Sequence, residues 1–312
     1  MTAPLRLGAH MWGQYTDWPS MRAAAVRADE LGYDSLWTWD HLYPIVGSDD
    51  GPIYEGWLTL AAWAAATSRA RIGLMVGANT LRNPALVAKM ATTLDHISAG
   101  RAVLGIGAAW FETEHTAYGI EFGRSPGERL RWLEEAVAIM GGMLRGERPS
   151  GRRHYAAREV RNEPSPVQRR LPLLIGGGGE KVTLRMVARH ADACNLGGGF
   201  DTVRRKDEIL RRNCVEVGRD ESEIERTAGV GVCIIRDSEA DARRVAAQML
   251  AHNGGAERFP NELIGTPEQV AEKMAPYLEI GFHHLNAAFP APHDTESMER
   301  LAREVRPMLD GR

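Results

Sequence analysis

The sequence of 312 residues has few cysteines and no long apolar run. Its three cysteines, Cys194, Cys214 and Cys233, form neither a CxxC pair nor an even framework, which favours a reducing intracellular compartment. No stretch of 18 apolar residues occurs, and segment 58–67 is too short to cross a bilayer. The first residues lack the basic and apolar regions of a signal peptide. We therefore expect a cytoplasmic protein without a membrane partner.

Positive charge is not in excess. The chain has 38 Lys and Arg against 41 Asp and Glu, which gives a net charge of −3. Proteins that bind nucleic acid without sequence preference depend on a surplus of basic residues. The composition therefore predicts no nucleic-acid partner.

Motifs of several common enzyme sites are missing as well. The chain has no HxH or HExxH motif, and the adjacent His283 and His284 would point to opposite faces of a strand. No GxGxxG follows the first apolar run, which disfavours a dinucleotide-binding fold. We expect no metal site, and a metal-dependent hydrolase stays a lesser alternative.

Glycine is abundant by comparison. The chain has 33 glycines, where an average usage of about 7% would give roughly 22. Seven lie in two runs, 176–179 and 197–199, and Gly77, Gly105 and Gly107 add three more near predicted strand ends. Because glycine lets the backbone approach a ligand closely, these positions are candidates for a binding site.

Short apolar runs alternate with helical periodicity along the whole chain. The predicted strands cover 5–11, 35–39, 71–76, 102–106, 171–175, 193–196, 227–235 and 284–288. The predicted helices cover 17–31, 56–67, 84–97, 126–144, 180–190, 202–217, 237–250, 267–280 and 295–309.

Alternating strands and helices predict a parallel sheet covered by helices. Eight strands in 312 residues favour an α/β fold, a (β/α)8 TIM barrel, as a single domain over residues 1–312. Insertions are expected near 146–170 and 251–264. A doubly wound open sheet is the structural alternative.

Active sites of such barrels lie at the carboxyl ends of the strands. Asp40 and His41 follow the second predicted strand and are a candidate acid–base or hydrogen-bonding pair, although a histidine there is as often structural. The four glycines at 176–179 follow the fifth strand and run into a predicted helix, with Lys181 in its first turn. This pattern is typical of a phosphate site, and the alternative is a flexible turn.

Three segments carry a family resemblance. They are LGYDSLWTWDHLYP at 31–44, the stretch 71–110 with NPALVAKMATTLDHISAGR at its centre, and LPLLIGGGGEKVTLRMVARHADACN at 171–195. The chain resembles the bacterial luciferase-like monooxygenase superfamily, and within it the actinobacterial branch that uses the deazaflavin coenzyme F420. The resemblance implies a homodimer of (β/α)8 barrels, with the cofactor lying across the carboxyl-terminal mouth.

The resemblance also implies roles for single residues. His41 matches a proton donor that hydrogen-bonds near the reactive ring, and the Met75-Val76 bond matches a non-prolyl cis peptide that supports the ring. The expected cofactor-binding residues are Asp40, Met75, Val76, Ala78, Asn79, Ala108, Ala109, Trp110, Thr113, Gly178, Gly179, Lys181 and Val182.

Departures from the family pattern bear on the reaction. Several deazaflavin dehydrogenases carry a glutamate where this chain has Trp110, and the basic residues that hold a sugar phosphate find no match. The resemblance implies an F420-dependent oxidoreductase that transfers a hydride between the deazaflavin and a small organic substrate with a C=C, C=N or C–OH group. The departures favour reduction of an activated double bond or imine. The alternatives are an FMN-dependent monooxygenase working with a separate flavin reductase, and a non-catalytic cofactor-binding protein.

The substrate is expected to be a small molecule bound by loops 12–18, 42–55 and 251–264. Aromatic residues in these loops suggest an apolar lining, and the alternative is that they pack the loops or a dimer interface. The candidate pocket residues are His10, Trp12, Gln14 and Tyr43.

Overall fold

The computed structural model describes residues 4–259 and 261–310. The chain groups into two compact units. Unit one comprises Met1–Arg71, Leu196–Arg205 and Arg226–Arg312, and unit two comprises Ile72–Asn195 and Lys206–Glu225. The single-domain organisation stays a prediction. None of the helices within the described ranges is long and apolar enough to cross a bilayer.

Strands and helices alternate along the described chain. The strands are β1 (Arg6–Met11), β2 (Ser35–Thr38), β3 (Arg71–Leu74), β4 (Gly77–Ala78), β5 (Ala102–Gly107), β6 (Leu173–Gly176), β7 (Ala193–Leu196), β8 (Glu225–Ile235), β9 (Glu262–Gly265) and β10 (His284–Phe289). The helices are α1 (Trp18–Glu30), α2 (Gly56–Ala66), α3 (Pro84–Ile97), α4 (Glu112–Tyr118), α5 (Pro126–Leu144), α6 (Thr183–His190), α7 (Phe200–Val217), α8 (Glu239–His252), α9 (Pro267–Glu279), α10 (Thr295–Arg300) and α11 (Arg306–Leu309).

Strand pairing is parallel within each unit. In unit one, β1 pairs with β2 and β10, β10 pairs with β8, and β8 pairs with β9. In unit two, β5 pairs with β3, β4 and β6, and β6 pairs with β7. The parallel pairing agrees with the pattern of alternating strands and helices in the sequence.

Helix starts follow local capping chemistry. Asn83 accepts a hydrogen bond from the Ala85 amide, with Pro84 in the first turn of α3. Thr266 and Gln269 form a reciprocal capping box at the start of α9. Capping residues of this kind are visible in the sequence, and both helices begin where it predicts.

Several elements differ from the sequence-based expectation. Strand β9 covers residues inside the predicted insertion 251–264, and helix α4 occupies a segment for which no element was predicted. The predicted helix 180–190 begins only at Thr183. The predicted helix 295–309 contains a π-helical turn over Leu301–Val305 between α10 and α11.

The segment 147–172 contains no helix or strand, as the predicted insertion near 146–170 implies, yet it is anchored. The Glu135 carboxylate accepts hydrogen bonds from the amides of Arg152, Arg153 and His154 at 2.5, 2.9 and 2.9 Å. Partial burial acts to raise the pKa of Glu135, but these amides lower it overall. The His154 ring stacks on Trp132 with a centroid distance of 3.8 Å. The insertion is therefore fixed to α5.

Two glycines of unit two leave room for the side chain of Val76, and a third leaves room for the backbone of Leu74. A Cβ added to Gly107 would lie 2.8 Å from Cγ2 of Val76, and one added to Gly176 would lie 2.7 Å from its Cγ1. A Cβ at Gly105 would overlap the carbonyl oxygen of Leu74. The Val76 side chain thus occupies space that these glycines leave open, which gives a packing reason for part of the glycine surplus.

This packing predicts two different stability losses. Gly105→Ala would force backbone against backbone, so the free energy of unfolding should fall by about 3 kcal/mol. Gly107→Ala meets only a side chain and should cost about 1 kcal/mol. Urea denaturation checks both values, and Val76→Ala should restore most of the loss in Gly107→Ala. A Gly105→Ala variant as stable as the parent protein would contradict the packing.

Candidate functional site

A row of aromatic and titratable side chains lies in unit one. The ring of His10, on β1, meets Trp39 edge-on with a centroid distance of 5.5 Å. Trp39 in turn meets the ring of His41 edge-on at 6.4 Å. Asp40 between them in the sequence is buried, with 3% of its surface exposed, whereas His41 is half-buried. The structure therefore brings His10 of β1 together with Trp39 and His41, which follow β2.

Trp12 belongs to a packed cluster. Its ring lies 4.7 Å from that of Trp39 and 5.8 Å from that of Phe259, and only 2% of its surface is exposed. The cluster also contains Val232 and Ile264. Trp12 thus packs against Trp39, as expected if the aromatic residues of this loop serve packing. Trp39 itself is half-buried and was absent from the predicted pocket residues.

Burial changes the chemistry of His10. It lowers the pKa of His10 to about 3, because desolvation disfavours the charged imidazolium. Its Nε2 atom is buried and makes no hydrogen bond within the described part of the chain, although the residue keeps some exposed surface. His10 is therefore neutral at physiological pH.

Gln14 braces two loops. Its side-chain carbonyl accepts hydrogen bonds from the amides of Ile45 and Val46, at 3.0 and 3.3 Å. Its side-chain amide donates to the Val46 carbonyl at 2.9 Å, and the residue has no exposed surface. The side chain of Gln14 is thus held by residues 45–46, and its expected role as a polar contact in the pocket stays a prediction. Tyr43, the other loop residue expected in the pocket, is half-buried.

In unit two, the residues after β3 include the Met75-Val76 peptide, which is cis, as the family resemblance implies. Ala78 lies in β4, and Asn79 next to it is buried. The side-chain amide of Asn79 donates to the hydroxyl of Tyr155 at 3.0 Å. Desolvation raises the pKa of Tyr155 to about 12, so its hydroxyl stays protonated. Tyr155 comes from the predicted insertion, and no motif in the sequence connects it with Asn79.

The segment after β5 turns sharply at Ala109, whose φ is 61°. Ala108 and Ala109 are partly exposed, and Trp110 exposes 62% of its surface while its ring lies 5.4 Å from that of Phe111. Thr113 is exposed in the first turn of α4. The large aromatic surface of Trp110 is therefore available to a ligand.

The glycine run after β6 forms an open backbone turn. Gly177 has a φ of 100°, a conformation that favours glycine. Helix α6 begins after Val182 with no side-chain cap, so its first amides receive no hydrogen bond from a capping side chain. Lys181 and Val182 are exposed and precede the helix, which corrects the expectation that Lys181 lies in its first turn. Gly178 and Gly179 lie between these features.

Two cavities in unit two lie near Tyr155. The smaller, of about 270 Å³, is lined by Asn79, Thr80, His154 and Tyr155 among others. The larger groove, of about 1120 Å³, runs along α5 and carries charges of both signs. The predicted cofactor residues do not line the larger groove, so its size does not make it the candidate site. In residues 4–259 and 261–310, no group of three or more His, Cys, Asp or Glu could hold a metal ion.

The burial of His10 predicts a pH effect on stability. Since the unfolded chain binds this proton near pH 6.5 and the folded protein only near pH 3, stability should fall as the pH drops between these values. The contribution is at most about 3 kcal/mol between pH 6.5 and 4. Denaturation of the parent protein and of His10→Gln at both pH values measures it. An equal loss in both proteins would contradict the assignment.

Known proteins give the family and the fold. The model of the luciferase-like monooxygenase family matches residues 3–262. F420-dependent glucose-6-phosphate dehydrogenases of Microbacterium testaceum and Kineococcus radiotolerans are each 28% identical to this chain. The alignments cover 99% and 98% of this chain and 98% and 97% of those proteins, respectively.

Solved structures with a similar fold are known. An F420-dependent secondary alcohol dehydrogenase in complex with an F420-acetone adduct has a TM-score of 0.82 and 20% identity, covering 98% of this chain and 99% of its own. The monooxygenase RslO1 from Streptomyces bottropensis has a TM-score of 0.81 and 20% identity, covering 97% and 99%. The predicted (β/α)8 barrel is confirmed by these likenesses. The chain belongs to the luciferase-like monooxygenase family.

Proposed function

We propose that this protein is a coenzyme F420-dependent oxidoreductase that transfers a hydride between the deazaflavin and a small organic substrate. The observation that carries the proposal is the likeness, over 98–99% of this chain, to relatives named F420-dependent glucose-6-phosphate dehydrogenase. The expected cis peptide at Met75-Val76 and the open glycine turn are consistent with it.

The glycine turn fits a phosphate-bearing cofactor. Gly177–Gly179 have no side chains and precede the start of α6, which no side chain caps. Backbone N–H groups in such a position bind phosphate oxygens. We propose that Gly178, Gly179, Lys181 and Val182 bind the phosphodiester of the cofactor. Asp40, Met75, Val76, Ala78, Asn79, Ala108, Ala109, Trp110 and Thr113 are the proposed contacts of the ring system and ribityl chain.

When bound, the deazaflavin supplies a carbon centre that gives or takes a hydride and favours hydride transfer over oxygen chemistry. His41 is the proposed catalytic residue. Its half-buried imidazole holds or donates the proton that accompanies transfer of the hydride to the substrate. Trp39 packs edge-on against the His41 ring and limits its orientations.

The proposed direction is reduction of an activated double bond or imine. The exposed residue after Ala109 is Trp110, so the position that the family resemblance assigns to a glutamate has no carboxylate. Glu114 nearby has no exposed surface in α4, so it offers no surface for contact with an alcohol. The substrate is proposed to be small and largely apolar, with His10, Trp39 and Tyr43 as its neighbours.

An FMN-dependent monooxygenase, working with a separate flavin reductase, is the second candidate. The TM-scores of 0.82 to an F420-dependent dehydrogenase and 0.81 to a monooxygenase do not separate the two. We also propose that the protein is cytoplasmic and that it forms a homodimer. Light scattering of the purified protein would test the dimer.

Cofactor binding tests the proposal. The purified protein should bind F420 with micromolar or tighter affinity in a fluorescence titration and bind FMN at least tenfold more weakly. Tight FMN binding without F420 binding would favour the monooxygenase.

Removal of the proposed proton donor should affect catalysis more than binding. With reduced F420 and a panel of activated alkenes and imines, His41→Ala should lower kcat about 100-fold for any substrate found. Its F420 affinity should change less than threefold. The exposed His96→Ala variant is the control and should retain the parent kcat. A His41→Ala variant with parental kcat would exclude the proton role.

A further inference from the structure

Lys206 of α7 lies directly on the glycine turn of unit two. A Cβ added to Gly178 would lie 2.7 Å from Cδ and 2.6 Å from Cε of Lys206, and nearer still to its ammonium nitrogen. Gly178 does not have a positive φ, so its conformation alone does not demand glycine. A glycine at position 178 therefore provides the space in which the lysine side chain lies.

The charge of Lys206 is not neutralised by its neighbours on the helix. Asp201 pairs with Arg204 at 3.0 Å, and Asp207 pairs with Arg211 at 2.7 Å. Within residues 4–259 and 261–310, Lys206 itself forms no ion pair. The half-buried lysine thus brings to the glycine turn a positive charge that no ion pair among the described residues holds.

An ammonium group beside open backbone amides is a phosphate-binding arrangement, because the amides fix the oxygens and the lysine balances their charge. The sequence pattern pointed to Lys181, three residues beyond Gly178. The sequence does not connect Lys206 with the turn, because 28 residues separate it from Gly178. Only the packing of α7 against the turn brings the two together.

We propose that the Lys206 ammonium binds the phosphate group of the cofactor and makes the protein selective for the phosphorylated form. This inference rests on the proposed function. No bond forms or breaks in this step, and Lys206 acts as a binding residue remote from the reacting atoms.

The test compares two ligands that differ in the phosphate. F420 carries a phosphodiester, and its precursor Fo has the same deazaflavin ring and ribityl chain but no phosphate. In fluorescence titrations, Lys206→Met should weaken F420 binding at least tenfold and leave Fo binding within twofold of the parent. Lys206→Arg should recover most of the F420 affinity. Arg212→Met removes an exposed positive charge further along α7 and should change neither affinity.

A second variant moves the lysine without removing it. Gly178→Ala should displace the flexible end of Lys206, weaken F420 several-fold and spare Fo. Gly127→Ala is the matched control, because Gly127 is exposed at the start of α5 and a Cβ there meets no atom nearer than 3.8 Å. Its affinities should equal those of the parent.

The outcomes separate this inference from the proposed function. Parental F420 affinity in Lys206→Met, or equal weakening of F420 and Fo, would overturn the role of Lys206 while the cofactor assignment stands. If the parent binds FMN instead of F420, the proposed function fails. A tenfold weakening of FMN but not riboflavin in Lys206→Met would then still support the phosphate contact. Binding of none of these cofactors overturns both.

Discussion

The packing depends on side chains that lie close to the backbone at glycines, which have no Cβ. In unit two, Gly107 and Gly176 leave room for Val76, and Gly178 leaves room for Lys206. In unit one, a Cβ at Gly51 would lie 2.7 Å from the Tyr15 hydroxyl. The contacts with Val76 depend on residues without a Cβ because the interior is close-packed, whereas the flexible end of Lys206 could move away from a Cβ at position 178. Part of the glycine surplus therefore reflects side chains packed onto backbone, and the turn at 177–179 is proposed to bind a ligand as well.

Elements with a strong local signal were predictable. Helix α3 and helix α5 have the predicted bounds, because proline in the first turn and a capping side chain fix the start of each. Strand β9 could not be predicted from the sequence. Its four residues lie among loop-forming residues, and they form a strand by pairing with β8. A strand this short is specified by its neighbour in space more than by its own sequence.

The same division holds for the candidate site. The glycine turn and the Asp40-His41 pair follow strand ends in sequence. Both were predicted because active sites of barrels lie at the carboxyl ends of the strands. Tyr155 and Lys206 contact Asn79 and Gly178 from distant parts of the chain, and no spacing rule connects them. The hydrogen bonds of Gln14 to the backbone of Ile45 and Val46 leave no mark in a sequence, so the fixed position of its side chain could not be predicted.

The central proposal is that the phosphodiester of a deazaflavin cofactor binds at the glycine turn of unit two. A crystal structure of the protein with F420 tests it most directly. We expect the phosphodiester on the backbone of Gly177–Gly179, within hydrogen-bond distance of the Lys206 ammonium. A phosphodiester bound instead in the charged groove along α5, beside Arg152 and Arg153, would contradict it.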